Sequence, residues 1–205
     1  MPTKGERTKA QIVAAAAPIF NERGFAGTSM SDILAATGLE KGGIYRHFES
    51  KDELALAAFD YAIQVLEARQ RRALERTETA LERLAACIDV FRSSLTHPAL
   101  RGGCPMLNTA IDADDTHPAL REHARQAIVQ WQQLIVHFAE EAKAKGEIEA
   151  AADCETIASV ITSSLEGAIM VSRLLRDPRH MDRVVDHLRE WIAGYQTQAS
   201  TMMSR

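Results

Sequence analysis

The sequence predicts an all-α protein of about nine helices, and three observations predict it. Alanine, leucine, glutamate and arginine, all good helix formers, dominate the chain. Aromatic residues are 5% of the total and β-branched runs are rare, so there is little material for a sheet. Segments with three- and four-residue apolar spacing are separated by Gly, Pro and capping residues at the places where helices start and stop. A hydrophobic content of 46% is ample for a core in a chain of 205 residues.

The first helix is expected from about Lys9 to Arg23, with Pro18 inside it and Gly24 as its stop. Thr28 and Ser29 are good caps for a second helix, whose first turn holds Asp32 and whose buried face holds Ile33 and Leu34. Gly38 ends it in a left-handed turn. A third short helix runs through Lys41 to Phe48. Gly42 and Gly43 cost it about 1 kcal/mol each against Ala, which makes sense if its backbone must approach something closely. Ile44 and Phe48, four apart, face the core, and Tyr45, Arg46 and His47 are left to face outward. Two short helices joined by a tight turn form a helix-turn-helix, and an α-helix fits the major groove of duplex DNA.

Ser50 and Glu53 form a capping-box pattern at the head of a fourth helix, from about Lys51 to Arg76. A phosphate fits at that helix start beside Lys51. The fifth helix is expected over 79–95, with a break at Thr96-His97-Pro98 and again at Arg101-Gly102-Gly103. A short sixth starts at Pro105, and a seventh runs from Pro118 to Lys145, stopped by Gly146. The eighth covers about Cys154 to Leu175, ended by Asp177-Pro178, and the ninth about His180 to Gln196. The ninth carries one apolar stripe, whereas the eighth is apolar over much more of its circumference. A helix with two apolar faces needs two partners: either a monomer core surrounds it, or a second subunit covers it.

The formal net charge is −4, not the basic balance usual in a DNA-binding protein. It is uneven: through Lys51 there are seven Lys/Arg against five Asp/Glu, which leaves the remainder at −6. The pattern fits a small, modestly basic DNA-reading head on a large acidic domain. The longest uninterrupted apolar run, Ile12 to Phe20, contains Pro18 and is too short to cross a bilayer, and the chain opens on no signal peptide. A cytoplasmic protein with no membrane partner is expected. Three cysteines do not suggest a disulfide framework.

Gly24-Phe25, Thr28, Ile33, Gly38, Gly43-Ile44-Tyr45, His47-Phe48 and Ser50-Lys51 resemble the TetR family of bacterial transcriptional regulators, over about Thr8 to Ala62. The resemblance implies a helix-turn-helix DNA-binding domain over 6–66 and a helical effector-binding and dimerisation domain over 67–205. It implies a repressor that binds a palindromic operator in double-stranded DNA as a homodimer, its two heads about 34–36 Å apart. By matching the family pattern, Lys41, Gly42, Gly43 and Tyr45 fall where bases and nearby backbone are met, and Ser29, Ser31, His47 and Lys51 where the phosphates run. Arg46 suits either a guanine or a phosphate. The family plan also favours the two-subunit reading of the last helices, with Ile157, Val160, Ile161, Leu165, Ala168, Val184, Val185, Leu188, Trp191 and Ile192 at the interface.

If that plan holds, helices four to seven enclose an apolar pocket for a small hydrophobic or electrophilic effector. Its candidate walls are Val65, Leu66, Leu84, Cys87, Ile88, Phe91, Met106, Leu107, Ile128, Trp131, Ile135 and Met170, for each of which plain core packing is the alternative. Cys104, in Gly102-Gly103-Cys104-Pro105, is a possible N-cap, where a helix dipole raises the thiolate fraction. A Gly-Cys pair there resembles the electrophile-sensing branch of the family typified by the N-ethylmaleimide reductase repressor. The competing readings are a small buried hydrophobe at Cys104, and a constitutive regulator with no effector.

His97, Cys104, Asp112, Asp114, Asp115, His117 and His123 cluster in sequence, but their spacings match no zinc template, and no metal or other cofactor is expected. His-Pro-Ala-Leu-Arg occurs at 97–101 and 117–121, each better read as a helix start with proline at its first position. With no Gly-rich phosphate loop, Ser-His-Asp pattern or paired metal motif, an enzyme is not expected.

Overall fold

A computed structural model describes residues 2–93, 95 and 101–197. Nine α-helices and one 3-10 turn account for the regular structure of the described residues: α1 (Lys4–Gly27), α2 (Met30–Thr37), α3 (Lys41–Tyr45), α4 (Lys51–Leu74), α5 (Ala80–Asp89), the 3-10 turn (Val90–Ser93), α6 (Pro105–Ala113), α7 (Pro118–Ala144), α8 (Cys154–Leu175) and α9 (Arg179–Ala193). The all-α expectation holds. The break expected at Thr96-His97-Pro98 lies outside the described residues.

By contacts the chain forms two compact units, the described parts of Met1–Leu66 with Thr96–Ala127, and of Glu67–Leu95 with Ile128–Arg205. In the first unit, α1 starts earlier than expected. Thr3 caps it by accepting from the Glu6 N–H at 3.2 Å, while Glu6 returns a carboxylate to the Thr3 N–H at 2.6 Å. Pro18 is accommodated inside the helix, and the break falls at Gly24 instead, with φ 72°. Space as well as conformation demands glycine there: a Cβ would sit 2.5 Å from Asp112 Oδ1. That carboxylate accepts the Phe25 N–H at 2.7 Å and so joins α6 to the end of α1. Asn108 of α6 adds donors to the Asn21 carbonyl and side-chain oxygen, both at 3.0 Å.

At the start of α4, only half of the expected capping box forms. Ser50 Oγ accepts the Glu53 N–H at 3.1 Å, but the Glu53 carboxylate takes the Glu49 N–H at 2.7 Å. The first turns of α7 rest on α4 through two histidines. His117 Nε2 lies 3.2 Å from Asp52 Oδ1, and His123 Nδ1 lies 2.8 Å from Asp60 Oδ1.

In the second unit, α8 and α9 pack along their length. Ile157, Ile161, Leu165, Ala168 and Ile169 of α8 and Met181, Val185, Leu188 and Ile192 of α9 are buried. Asp153 caps α8 with Oδ1 accepting from the Glu155 and Thr156 N–H groups, each at 3.1 Å. Thr79 caps α5, whose first amides also meet a distant acid: Glu147 accepts from Ala80 at 3.3 Å and Leu81 at 2.8 Å. The helix expected over 79–95 ends at Asp89 and tightens into the 3-10 turn, which Arg69 of α4 holds by donating to the Val90 carbonyl at 2.8 Å.

Candidate DNA interface

The helix-turn-helix is built by local signals. Ser29 Oγ accepts the Asp32 N–H at 3.1 Å, and Asp32 Oδ2 accepts the Ser29 N–H at 2.9 Å and its hydroxyl at 2.6 Å. Arg23 adds an ion pair to the same carboxylate at 2.6 Å. The Ser29 hydroxyl and amide, with Arg23 behind them, hold the Asp32 carboxyl down to about 2. Ser29 therefore acts here as a helix cap whose hydroxyl already has a partner. Gly38 closes α2 at φ 68°, its N–H donating to the Leu34 carbonyl at 2.9 Å.

The reader helix α3 ends at Tyr45, shorter than the expected Lys41–Phe48, and the chain continues as a turn in which the His47 and Phe48 amides both donate to the Ile44 carbonyl. Ile44 and Phe48, each 1% exposed, pin it to a core made with Ile12, Ala16, Ile33, Leu54 and Ala58. Lys41, Gly42, Tyr45 and Arg46 are exposed, and a Cβ at Gly42 would meet nothing within 4 Å. Gly43 is half-buried against Leu39. Lys41 Nζ stands 5.7 Å over the Tyr45 ring, so the two side chains share one face. Ser31 on α2 is exposed, and His47 is half-buried.

Two long-range features were not legible in the spacing. Lys51 Nζ donates to the Phe25 carbonyl at 2.5 Å and sits 4.2 Å over the Phe25 ring, so this lysine ties the head of α4 to the end of α1. The first turn of α1 lies beside His47: a Cβ at Gly5 would be 4.0 Å from His47 Cε1.

A capped α2, a left-handed turn and a short α3 with one exposed face of Lys41, Gly42, Tyr45 and Arg46, pinned by Ile44 and Phe48, match known regulators in sequence as well as shape. Residues 12–58 match the family model described as bacterial regulatory proteins, tetR family, and residues 80–188 match the tetracyclin repressor-like C-terminal domain. This chain belongs to the TetR family. A helix-turn-helix transcriptional regulator of Mycobacterium tuberculosis is 33% identical over 185 residues, 87% of this chain and 91% of that one. A TetR regulator from Chloroflexus aurantiacus superposes with a TM-score of 0.88 at 46% identity, covering 92% of this chain and 96% of that one. NemR of E. coli in its reduced form gives 0.78 at 17% identity, covering 90% and 96%, a likeness that concerns the fold alone. The TetR-family chain is thus a DNA-binding transcriptional regulator.

The residues expected to wall an effector pocket divide between the units. Leu66, Cys104, Met106 and Leu107 belong to the first, with Cys104 and Met106 buried. In the second, Leu84, Cys87, Ile88, Phe91 and Ile135 are buried, Ile128 and Trp131 half-buried, and the Phe91 and Trp131 rings meet at 5.4 Å. Met170 is corrected: at 54% exposed, it lies on the open face of α8 and walls no interior.

Cys104 does take the N-cap position of α6, with Pro105 following, but it makes no side-chain cap bond and is 4% exposed. Burial pushes the Cys87 thiol up to about 12 and the Cys154 thiol to about 11. The acids and histidines clustered in the sequence find separate partners: Asp112 the Phe25 amide, His117 Asp52, His123 Asp60 and Asp114 Arg121. Among the described residues no three His, Cys, Asp or Glu side chains gather, and His97 lies outside them.

The interface expected on α8 and α9 is corrected in its register. Ile157, Ile161, Leu165, Ala168, Val185, Leu188 and Ile192 are all buried within their own unit. Val160, also expected at the interface, is on the open apolar face of α8 with Met170 and Leu174, at 37, 54 and 78% exposure, with Leu175 at its end. Val184 and Trp191 of α9 are half-buried.

Proposed function

We propose that this TetR-family regulator is a cytoplasmic repressor that binds a palindromic operator as a homodimer and leaves it when a small effector binds. The exposed Lys41–Arg46 face on a firmly seated α3 supports the DNA half of this reading. We assign the DNA-binding domain to 6–66 and effector binding and dimerisation to 67–205, with Lys41, Gly42, Gly43 and Tyr45 toward bases, Ser29, Ser31, His47 and Lys51 toward phosphates, and Arg46 toward either. Lys51 donates to the Phe25 carbonyl through one of three ammonium hydrogens, which leaves two for a phosphate. The open α8 face of Val160, Met170 and Leu174 supports dimerisation, since apolar stripes of this kind are normally covered. Cys104, buried as it is, favours a packing role over an oxidant sensor. The test is fluorescence anisotropy with the DNA upstream of the chain's own coding region, against an unrelated duplex, with salt varied. Tight, salt-sensitive preference for the native fragment is expected; equal binding to both duplexes would count against a local operator.

A further inference from the structure

Phe25, the residue after the break in α1, is held by three other elements. Its N–H donates to Asp112 Oδ2 of α6 at 2.7 Å, and its carbonyl accepts from Lys51 Nζ, at the head of α4, at 2.5 Å. Its ring lies 4.2 Å under the same ammonium and meets the ring of His117, just before α7, at 4.6 Å with the planes 76° apart.

The end of α1 gives the Asp112 carboxylate its seat. Gly24 leaves the room, since a Cβ there would fall 2.5 Å from Asp112 Oδ1. Asn108, one helical turn before Asp112, donates to the Asn21 carbonyl at 3.0 Å, so α6 grips the end of α1 at two points. The backbone of Phe25 is therefore placed by α6.

Lys51 in turn is placed by Phe25. A lysine ammonium is a compact charge on a flexible four-carbon stem, so the group it bonds decides where it points. The Phe25 carbonyl takes one of its three N–H donors, and the ring beneath holds the charge above it. The N–H and carbonyl of Phe25 belong to one residue, so losing the grip of Asp112 on the first displaces the second.

We propose that Asp112 is a positioning residue for DNA binding: through Phe25 it aims the Lys51 ammonium at a phosphate of the duplex. This assignment rests on the reading of Lys51 as a phosphate contact. It carries a sign opposite to that of charge. Deleting a carboxylate from a DNA-binding head tightens binding by charge alone, whereas deleting this one weakens it.

The test measures binding of the full-length protein to the native upstream fragment and to an unrelated duplex, by fluorescence anisotropy across a salt series. Lys51→Ala should lower the slope of log affinity against log salt by roughly 0.9, one phosphate contact. Asp112→Ala should lower it by most of that amount and weaken both duplexes alike. The doubly substituted protein should bind within about twofold of Lys51→Ala alone, because the two residues act on one contact. Asp112→Asn keeps an oxygen for the Phe25 N–H and loses only the charge, so it should retain the slope of the unmodified protein. An unchanged slope in Asp112→Ala, tighter binding by it, or losses that multiply in the double variant would each overturn the proposal. Should Asp112→Ala fail to fold, nuclear magnetic resonance of the unmodified protein decides. In its complex with the unrelated duplex, the Lys51 ε-protons should stay upfield in the ring current of Phe25; ordinary lysine shifts there would overturn the tether and the proposal with it. An unchanged slope in Lys51→Ala removes the phosphate reading and this proposal together. A lowered slope there beside an unchanged one in Asp112→Ala removes this proposal alone.

Discussion

Gly24 shows how one residue is constrained from two directions. Its φ of 72° disfavours any side chain, and the Asp112 carboxylate occupies the place a Cβ would take. Gly24→Ala should therefore destabilise the protein by about 2 kcal/mol or more, since strain at positive φ and a displaced hydrogen bond add. Urea unfolding read by circular dichroism measures this, and an unchanged midpoint would mean that Asp112 is not seated as described. Asp32 gives the second residue-scale prediction. Its folded pKa lies near 2, below the ordinary 3.8, because the charged form is hydrogen-bonded. The folded state therefore binds its proton less readily than the unfolded chain. The stability it contributes is present above about pH 4 and is lost as pH falls toward 2. Asp32→Asn should flatten the acid limb of stability against pH in that window, and a limb of unchanged slope would show that other carboxylates set it.

Among the elements, α8 has its two sides doing different things. Leu165, fully buried, belongs to the unit's own core, so Leu165→Ala should cost about 2–5 kcal/mol of folding stability. Met170 and Leu174 are exposed, so Met170→Asp with Leu174→Asp should leave the helix content intact but turn a dimer into a monomer at micromolar concentration. Light scattering with circular dichroism separates the two effects. A doubly substituted protein that stayed dimeric would place the interface elsewhere. The same helix is long and apolar enough by composition to cross a membrane, yet half of that stretch is buried against its own chain. Its apolar character is thus accounted for by core on one side and the proposed subunit contact on the other.

For the whole molecule, a net charge of −4 means that DNA affinity comes from a few placed cations and not from the overall field. The logarithm of affinity should fall with the logarithm of salt by roughly 0.9 for each phosphate contact. Lys51→Ala should weaken binding to every duplex alike and reduce that slope by about one contact. Loss confined to one sequence would instead give Lys51 a role in base reading.

Much of the DNA-reading head was legible in the chain because its determinants are local. The Ser29–Asp32 cap joins residues three apart, the Gly38 turn residues four apart, and the Ile44–Phe48 pair residues one helical turn apart, so each could be read from spacing. Features that depend on distant partners were not. Lys51 meets a carbonyl 26 residues away, and Glu147 meets the head of α5 from 66 residues away, with no periodicity to announce either. Which face of α8 is buried in its own unit was not legible for the same reason. Apolar residues on both sides of a helix state that two partners are needed, but not which side meets which. The sequence by itself determined the all-α class, the number and order of the helices, and the family, because capping, turn conformation and apolar period act over a few residues; the ends of α1, α3 and α5 it did not. Only the tertiary structure decided that Ile161, Leu165 and Leu188 are core, that Met170 and Leu174 are surface, and that Gln70 is buried beside Cys87, because burial is a property of what packs against a residue and not of the residue alone.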